Sequence, residues 1–449
     1  MAGTGDGRRE GSLEAPTRHP LAWRDPAFHD ASALEAELER VFDICHGCRR
    51  CFSLCQSFPT LFDLIDATAD GELAGVDKRM YAQVVDNCYL CDMCYMTKCP
   101  YVPPHEWNVD FPHLMLRAKA VKAKAGKASV RDRLLAATDT VGRIAGIPVV
   151  AQAVNAVNGT RAGRVLLEKV LGVHRDAPVP EYHSRSARAR LDRLPPPAAA
   201  PVATAGTTGR VAIFATCYGN RNEPELVTDL AAVLAHNGIG LILVPGEACC
   251  GMPKLELGDL DAVAALKERN LPQLLALVEA GYDIVAPIPS CVLMFKQELP
   301  LMFPEDAGVQ RVRAHTFDPF EYLMLRHRDG LLRTDFSHAL GKVSYHVACH
   351  LRVQNIGLKT RDVLRLVPGT TVEAIERCSG HDGTYGVKKE FRAASVKIAA
   401  PVVQKVQAAA ADHYSSDCPM AGHQLQSGLP AGSRPPEHPL RLLRLAYGI

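Results

Sequence analysis

Residues 45–55 read C-H-G-C-R-R-C-F-S-L-C, and residues 88–100 read C-Y-L-C-D-M-C-Y-M-T-K-C-P. Eight of the chain's fifteen cysteines lie in these two runs: Cys45, Cys48, Cys51 and Cys55, then Cys88, Cys91, Cys94 and Cys99. In each run three cysteines step by three residues, and a fourth follows after a short gap.

Three cysteines at such steps wrap three corners of a cubane cluster. The fourth of each run then reaches the other cluster, as in two-cluster ferredoxins. The pattern assigns Cys45, Cys48, Cys51 and Cys99 to one [4Fe–4S] cluster, and Cys88, Cys91, Cys94 and Cys55 to a second. A structural zinc site takes pairs of ligands in a tetrahedron, and two C-x2-C pairs leave the other thiols of these runs unexplained. Disulfides are disfavoured by the tight spacing and by the lack of an export signal ahead of it. Two details depart from the simplest pattern. The gap before Cys99 is one residue longer than the gap before Cys55, and Gln56 follows Cys55 whereas Pro100 follows Cys99.

At 449 residues the chain has room for two or three domains. Hydrophobic residues make up 47% and charged residues 22%, an ordinary globular balance. A net charge of +2 gives no global drive toward nucleic acid. No apolar run reaches the roughly 18–20 residues that span a bilayer. The opening M-A-G-T-G-D-G-R-R-E-G-S-L-E-A-P-T-R-H-P lacks the apolar core of a signal peptide. Thiols in this number without secretion fit a reducing cytoplasm.

Residues 1–22 are polar and glycine-rich, and are expected to be disordered. A helical two-cluster ferredoxin domain is predicted over 23–115. A helix over 31–43 leads into Cys45, helices over 60–67 and 77–86 fill the spacer, and Gly47 supplies a tight turn around inorganic sulfide. Residues 116–182 form a helical basic connector carrying Arg117, Lys119, Lys122, Lys124, Lys127, Arg131 and Arg133. This is either a solvated helix face or a docking surface for an acidic partner or an anionic membrane. The apolar and small residues of 134–172 cover the ferredoxin domain or contact another subunit. Residues 183–208, rich in Pro, Ala, Thr and Gly, read as a linker.

From 209 to 449 short β-branched runs alternate with helical patterns. Strands are predicted over 211–215, 240–244, 283–287 and 342–348, and helices over 223–236, 259–280, 387–411 and 438–447. Alternation of this kind defines an α/β domain with largely parallel strands. The remaining cysteines form a repeat. One half, about 209–330, carries F-A-T-C at Cys217, A-C-C-G at Cys249 and Cys250, and I-P-S-C-V-L-M at Cys291. The other, about 340–449, carries H-V-A-C at Cys349, R-C-S-G at Cys378 and S-S-D-C-P-M-A at Cys418. Cysteines at strand ends converge on one edge of a parallel sheet, where α/β domains hold ligands.

These motifs resemble the duplicated cysteine-rich (CCG) domain of heterodisulfide reductase and of the iron–sulfur subunits of anaerobic glycerol-3-phosphate dehydrogenase and glycolate oxidase. The closing H-P-L-R-L-L-R-L-A-Y-G is similar to the end of the glycerol-3-phosphate dehydrogenase subunit. The stretches C-S-G-H-D-G-T-Y-G and T-K-C-P-Y-V-P-P-H-E-W-N resemble a bacterial branch often encoded near rubrerythrin. The family motif has two adjacent cysteines in each half and a final C-x-x-C. Here Met294 and Ala421 stand where the last cysteines fall, and Ser379 replaces one of the second pair. The first half keeps Cys217, Cys249, Cys250 and Cys291, enough thiolates for a third cluster. The second keeps Cys349, Cys378 and Cys418, a degenerate site that His350 or His381 could complete. A metal-free redox thiol site and a structural domain with merely buried cysteines are the competing readings. For His381 and Asp382 a loop position satisfied by backbone competes with a ligand or proton donor; His346 and His350 read as structural.

The resemblance implies an electron-transfer subunit that relays electrons through the two [4Fe–4S] clusters to or from the cysteine-rich site. Its partner would be a flavoprotein dehydrogenase subunit or a rubrerythrin-like protein, with quinone or another carrier at the other end. Catalysis is then expected on the partner. The implied place is cytoplasmic or peripheral on the inner face of the membrane. The chain has no G-x-G-x-x-G after a strand and no P-loop ending after Gly380, so no flavin, NAD or nucleotide site is read in it. Arg49, Arg50 and Lys98 beside ligands would raise cluster potentials. A catalytic disulfide reductase and a thiol-rich iron scaffold are the alternative functions.

Overall fold

In a computed structural model, which describes residues 16–381 and 383–449, the chain forms two compact units, Met1–Ala125 and Gly126–Ile449. The expectations for residues 1–15 and for Asp382 fall outside the described residues.

The first unit is helical. Leu34, Leu38, Val41 and Phe42 lie on one face of the helix Ala31–Cys48 and are buried. Asp30 caps its start by accepting the Ala33 N–H at 2.7 Å. The helix does not stop at Cys45. It continues through Gly47 and ends at Arg49, a left-handed residue whose N–H reaches the Cys45 carbonyl. The tight turn expected at Gly47 is therefore made by Arg49 (φ 49°), because the helical hydrogen bonding carries on through the glycine. The helices Ser57–Asp66, Tyr81–Asn87 and Phe111–Lys124 complete a core around Phe42, Phe58, Leu61, Ile65 and Met115. The Phe58 and Phe111 rings sit 4.6 Å apart. Cys88 and Cys94 belong to this core, and Cys45, Cys48, Cys51, Cys55 and Cys99 pack against it.

The stretch 16–22, expected to be disordered, is pinned at Arg18. Its guanidinium is buried and forked onto two carboxylates, with Nη1 2.6 Å from Asp92 Oδ2 and Nε 2.8 Å from Asp110 Oδ2. Much of the basic face of Phe111–Lys124 is likewise engaged inside this unit. Arg117 donates to Phe28 O, Lys119 to Cys88 O, and Lys122 to Asp86.

Among the described residues the second unit contains seven strands: β1 Arg210–Ile213, β2 Gly240–Leu243, β3 Asp283–Val285, β4 Thr316–Phe317, β5 Gly341–His346, β6 Thr370–Ile375 and β7 His413–Ser416. They form two all-parallel sheets, ordered β2-β1-β3-β4 and β6-β5-β7. The first three strands of each sheet thus share one arrangement, with β1 and β5 at the centre. Helices cover both faces, and Val211, Ala212 and Ile213 are fully buried. The final helix Pro439–Tyr447 crosses back to the first half, where Arg444 Nη1 meets Asp229 Oδ1 at 2.7 Å.

Residues 183–208 are not a free linker. Ser186 caps a short helix Ala187–Arg190, Ala187 is fully buried, and Ala198 N–H pairs with Ala235 O at 2.8 Å. Arg326, also buried, donates to Val202 O at 2.6 Å. The small side chains that read as a linker let this segment lie close against the α/β unit. Residues 126–182 belong to the same unit, as the helices Val130–Leu135, Thr138–Ala145, Val150–Gly159 and Arg161–Leu171.

Candidate functional site

The two cysteine runs meet crosswise. Burial pushes the Cys45 thiol well up, and Cys99, Cys51 and Cys48 push it further. Burial does the same to Cys94, with Cys51, Cys91, Cys88 and Cys55 adding to it. The last cysteine of each run therefore stands with the first three of the other, and Cys51 faces both groups. Cys51 is pushed up to about 12 by burial, then by Cys99 and Cys48, against the pull of Lys98. Cys99 is pushed up to about 11 by burial, although the Tyr101 and Val102 N–H groups point at its sulfur. Thiols that raise one another in this way stay protonated as a bare set; to ionise together they need multivalent positive charge. The donor set fits iron–sulfur clusters on that ground.

The backbone of the second run supports this wrapping. Leu90 (φ 56°) and Asp92 (φ 60°) both take left-handed conformations between Cys88 and Cys94. Arg18, itself anchored on Asp110, donates to Asp92. Arg49, expected to bias a cluster with its charge, turns instead to Asp66, which it meets bidentately. Lys98 lies close enough to the Cys51 thiol to pull its pKa down.

In the second unit the cysteines follow strand ends. Cys217 comes after β1, Cys249 and Cys250 after β2, and Cys291 after β3. The Cys217 and Cys249 sulfurs are 3.9 Å apart. Cys250 bonds both Cys249 and Cys291, so the four thiols of this half form one connected group. Cys249 lies well below the ordinary thiol value, because Cys217 and Cys250 donate to it against the cost of burial, helped by the Gly251 N–H and Thr138. Gly251 has φ 104°, a conformation that L side chains rarely adopt, which explains the glycine after the cysteine pair. Met294, in the place of the missing cysteine, is fully buried and starts a π-helical turn, Met294–Glu298.

The second half repeats the layout, with Cys349 after β5, Cys378 after β6 and Cys418 after β7. The Gly380 N–H points at Cys378 Sγ at 3.2 Å. Gly380 lies so close to Ser395 that a side chain there would start 2.2 Å from the Ser395 carbonyl oxygen. His381 is buried, and among the described residues neither of its ring nitrogens has a hydrogen-bond partner. Burial, then His423 and Arg392, lowers it to about 4, so the imidazole is neutral at pH 7 with a free lone pair. His346, by contrast, is held by Ser416 Oγ and Arg377 O, a structural role. His350 Nδ1 meets Ser290 Oγ at 2.8 Å, which ties the residue after Cys349 to the residue before Cys291. The cysteine-bearing edges of the two sheets thus face each other.

Three contributors to these sites carry no sequence motif. Thr138 Oγ1 lies 3.3 Å from Cys217 Sγ and 3.7 Å from Cys249 Sγ, delivered by a helix of the expected connector. Asp417, beside Cys418, is buried and bonded to Tyr345 Oη and Thr360 Oγ1; burial pushes it up to about 7. Arg18 is the third.

The fold and site define a protein with a duplicated cysteine-rich α/β domain preceded by a helical, cysteine-rich unit. The family model for the cysteine-rich (CCG) domain matches twice, at residues 211–296 and 343–426, so the chain carries two copies of that domain. The chain is 28% identical over 341 residues to the C subunit of the anaerobic glycerol-3-phosphate dehydrogenase of Escherichia coli (strain K12), covering 76% of this chain and 82% of that one. It is 23% identical over 400 residues to the B subunit of the fumarate reductase (CoM/CoB) of Methanothermobacter marburgensis, covering 85% and 68%. Lactate utilization protein A 1 of Bacillus cereus (strain 03BB102) is 28% identical over 188 residues, covering 40% of this chain and 75% of that one.

Proposed function

We propose that this chain is an iron–sulfur electron-transfer subunit of a flavoprotein dehydrogenase or reductase, similar in role to the related subunit of anaerobic glycerol-3-phosphate dehydrogenase. The observation that carries the reading is the crossed grouping of thiols, Cys99 with Cys45, Cys48 and Cys51, and Cys55 with Cys88, Cys91 and Cys94. It supports a ferredoxin-type unit in which each group holds one [4Fe–4S] cluster. Cys217, Cys249, Cys250 and Cys291 would hold a third. Cys349, Cys378 and Cys418 form a weaker set, which the unpartnered His381 could complete. Such clusters, when bound, take up and release single electrons. The protein's part is to bury them, to aim N–H groups and the Thr138 hydroxyl at sulfur, and to place Lys98 by Cys51.

Two relatives are named as subunits of a dehydrogenase and a reductase, which supports a partner that carries the substrate chemistry. That partner is proposed to be a flavoprotein, with quinone or a rubrerythrin-like protein as the other exchange partner, and the complex to sit on the inner face of a membrane. The test is an anaerobic redox titration followed by EPR. Two cubane signals that come and go reversibly support the reading; a protein with no redox-active iron overturns it.

A further inference from the structure

The helices that lead into the α/β unit leave an unusual surface open. Ile144, Ile147, Val149, Val157, Leu166 and Val170 are each at least half exposed, and Val149 reaches 72%. Residues 144–160 carry no charged side chain, and Arg143 and Arg161 bound them on either side. Among the described residues no single helix is long and apolar enough to cross a membrane. Thr138–Ala145 and Val150–Gly159 pass that test only together, and they are bent by 103° at the I-P-V segment between them. Such a pair cannot cross as one rod, but it suits lying in an interface.

The bend is built at a cost. Val149 has φ 72° and ψ −46°, a strained conformation for a β-branched residue, and it holds Ile147 and Val149 outward rather than folded onto the unit. Along 138–171 the cations Arg143, Arg161, Arg164 and Lys169 outnumber the acids Asp139 and Glu168. Arg143 and Lys169 are exposed, and the Arg161 side chain is 79% exposed, 3.7 Å from Asp176. Of the nearby acids, Asp176 faces Arg161 and Asp139 lies one turn before Arg143, while Asp132 pairs with Lys388 and Glu168 with Arg175. An exposed apolar bend in a helical stretch with this excess of cations suits an anionic lipid surface, where the side chains enter the acyl boundary and the cations meet phosphates.

We propose that the bend at residues 144–149 docks this chain onto an anionic lipid bilayer, with Ile147 and Val149 inserting and Arg143, Arg161 and Lys169 binding headgroup phosphates. This deepens the peripheral placement proposed above and rests on it, while being independent of cluster content. The test is flotation of the anaerobically purified full chain with phosphatidylcholine vesicles, with and without phosphatidylglycerol. The wild type should float with the anionic vesicles and be released by salt. I147E/V149E should bind at least about tenfold more weakly, with iron content and circular dichroism unchanged. R143Q/R161Q/K169Q, confined to exposed side chains, should lose the preference for phosphatidylglycerol and decides the matter where the first variant misfolds. A wild type that ignores both vesicles overturns the membrane placement and leaves a protein partner for the surface. A wild type that binds while both variants bind equally well overturns the assignment to this bend alone.

Discussion

Arg18→Met removes the guanidinium that neutralises Asp92 and Asp110. The Arg18 and Asp92 side chains are only 7% and 6% exposed, so water cannot take over. Deleting one partner of a buried ion pair costs about 3–5 kcal/mol, chiefly from the charge left behind. The lost contact between Arg18 and the Tyr95 ring, 4.6 Å from its centroid, adds about 1 kcal/mol. The carboxylate gives a second route to the size. Burial works to raise Asp110, yet Arg18 and His113 hold it at about 2. Against an unfolded value near 4, this contributes about 2–3 kcal/mol, present in full above about pH 4 and lost as the pH falls through about 2. Between the two routes, the variant should lose about 3–5 kcal/mol of local stability at pH 7. Hydrogen exchange of the amides over 88–99 reads this directly, as protection lowered at least about a hundredfold. Arg18→Lys, which keeps the charge but not the fork, should fall between. Exchange within about twofold of wild type in Arg18→Met would refute the role given to this buried guanidinium.

Cys91→Ser should remove about four irons per chain and one cubane EPR signal; unchanged iron would refute its assignment as a ligand. Thr138→Val should lower the potential of the second unit's centre by on the order of tens of millivolts, because a hydrogen bond to sulfur that favours the reduced state is lost; an unmoved potential in a redox titration refutes that role. The Asp318 carboxyl is pushed up to about 8 by burial, with Asp417 and Glu321 adding to it. The folded chain thus keeps a proton that the unfolded chain releases, and stability falls as pH rises from about 4 to about 8. Asp318→Asn, which still caps the helix Pro319–Arg328, should flatten that fall and be more stable than wild type at pH 8 by about 1–3 kcal/mol in urea unfolding; an equal slope refutes it.

The elements legible in the sequence were those with a clear period. Helix spacing located Ala31–Cys48 and Leu260–Glu279, and β-branched runs located β1, β2, β3 and β5. Strands β6 (T-T-V-E-A-I) and β7 (H-Y-S-S) were not read, because polar residues fill positions whose strand character comes from pairing with β5. The repeat of cysteines did point to the thiol group of Cys217, Cys249, Cys250 and Cys291, since side chains at the ends of parallel strands converge on one edge. Thr138 and Arg18 were invisible because their partners lie 79 and 74 residues away, and a lone threonine or arginine carries no pattern. Residues 183–208 read as a linker for a related reason: small side chains mark both flexible chain and chain laid flat on a core.

The central claim is that the crossed thiols hold iron and sulfide rather than a single metal ion. Iron, acid-labile sulfide and zinc counted per chain in anaerobically purified protein test it most directly. The account predicts about twelve irons with matching sulfide and no stoichiometric zinc, falling to about eight in a Cys250→Ser variant. A colourless protein with zinc and no sulfide would contradict it.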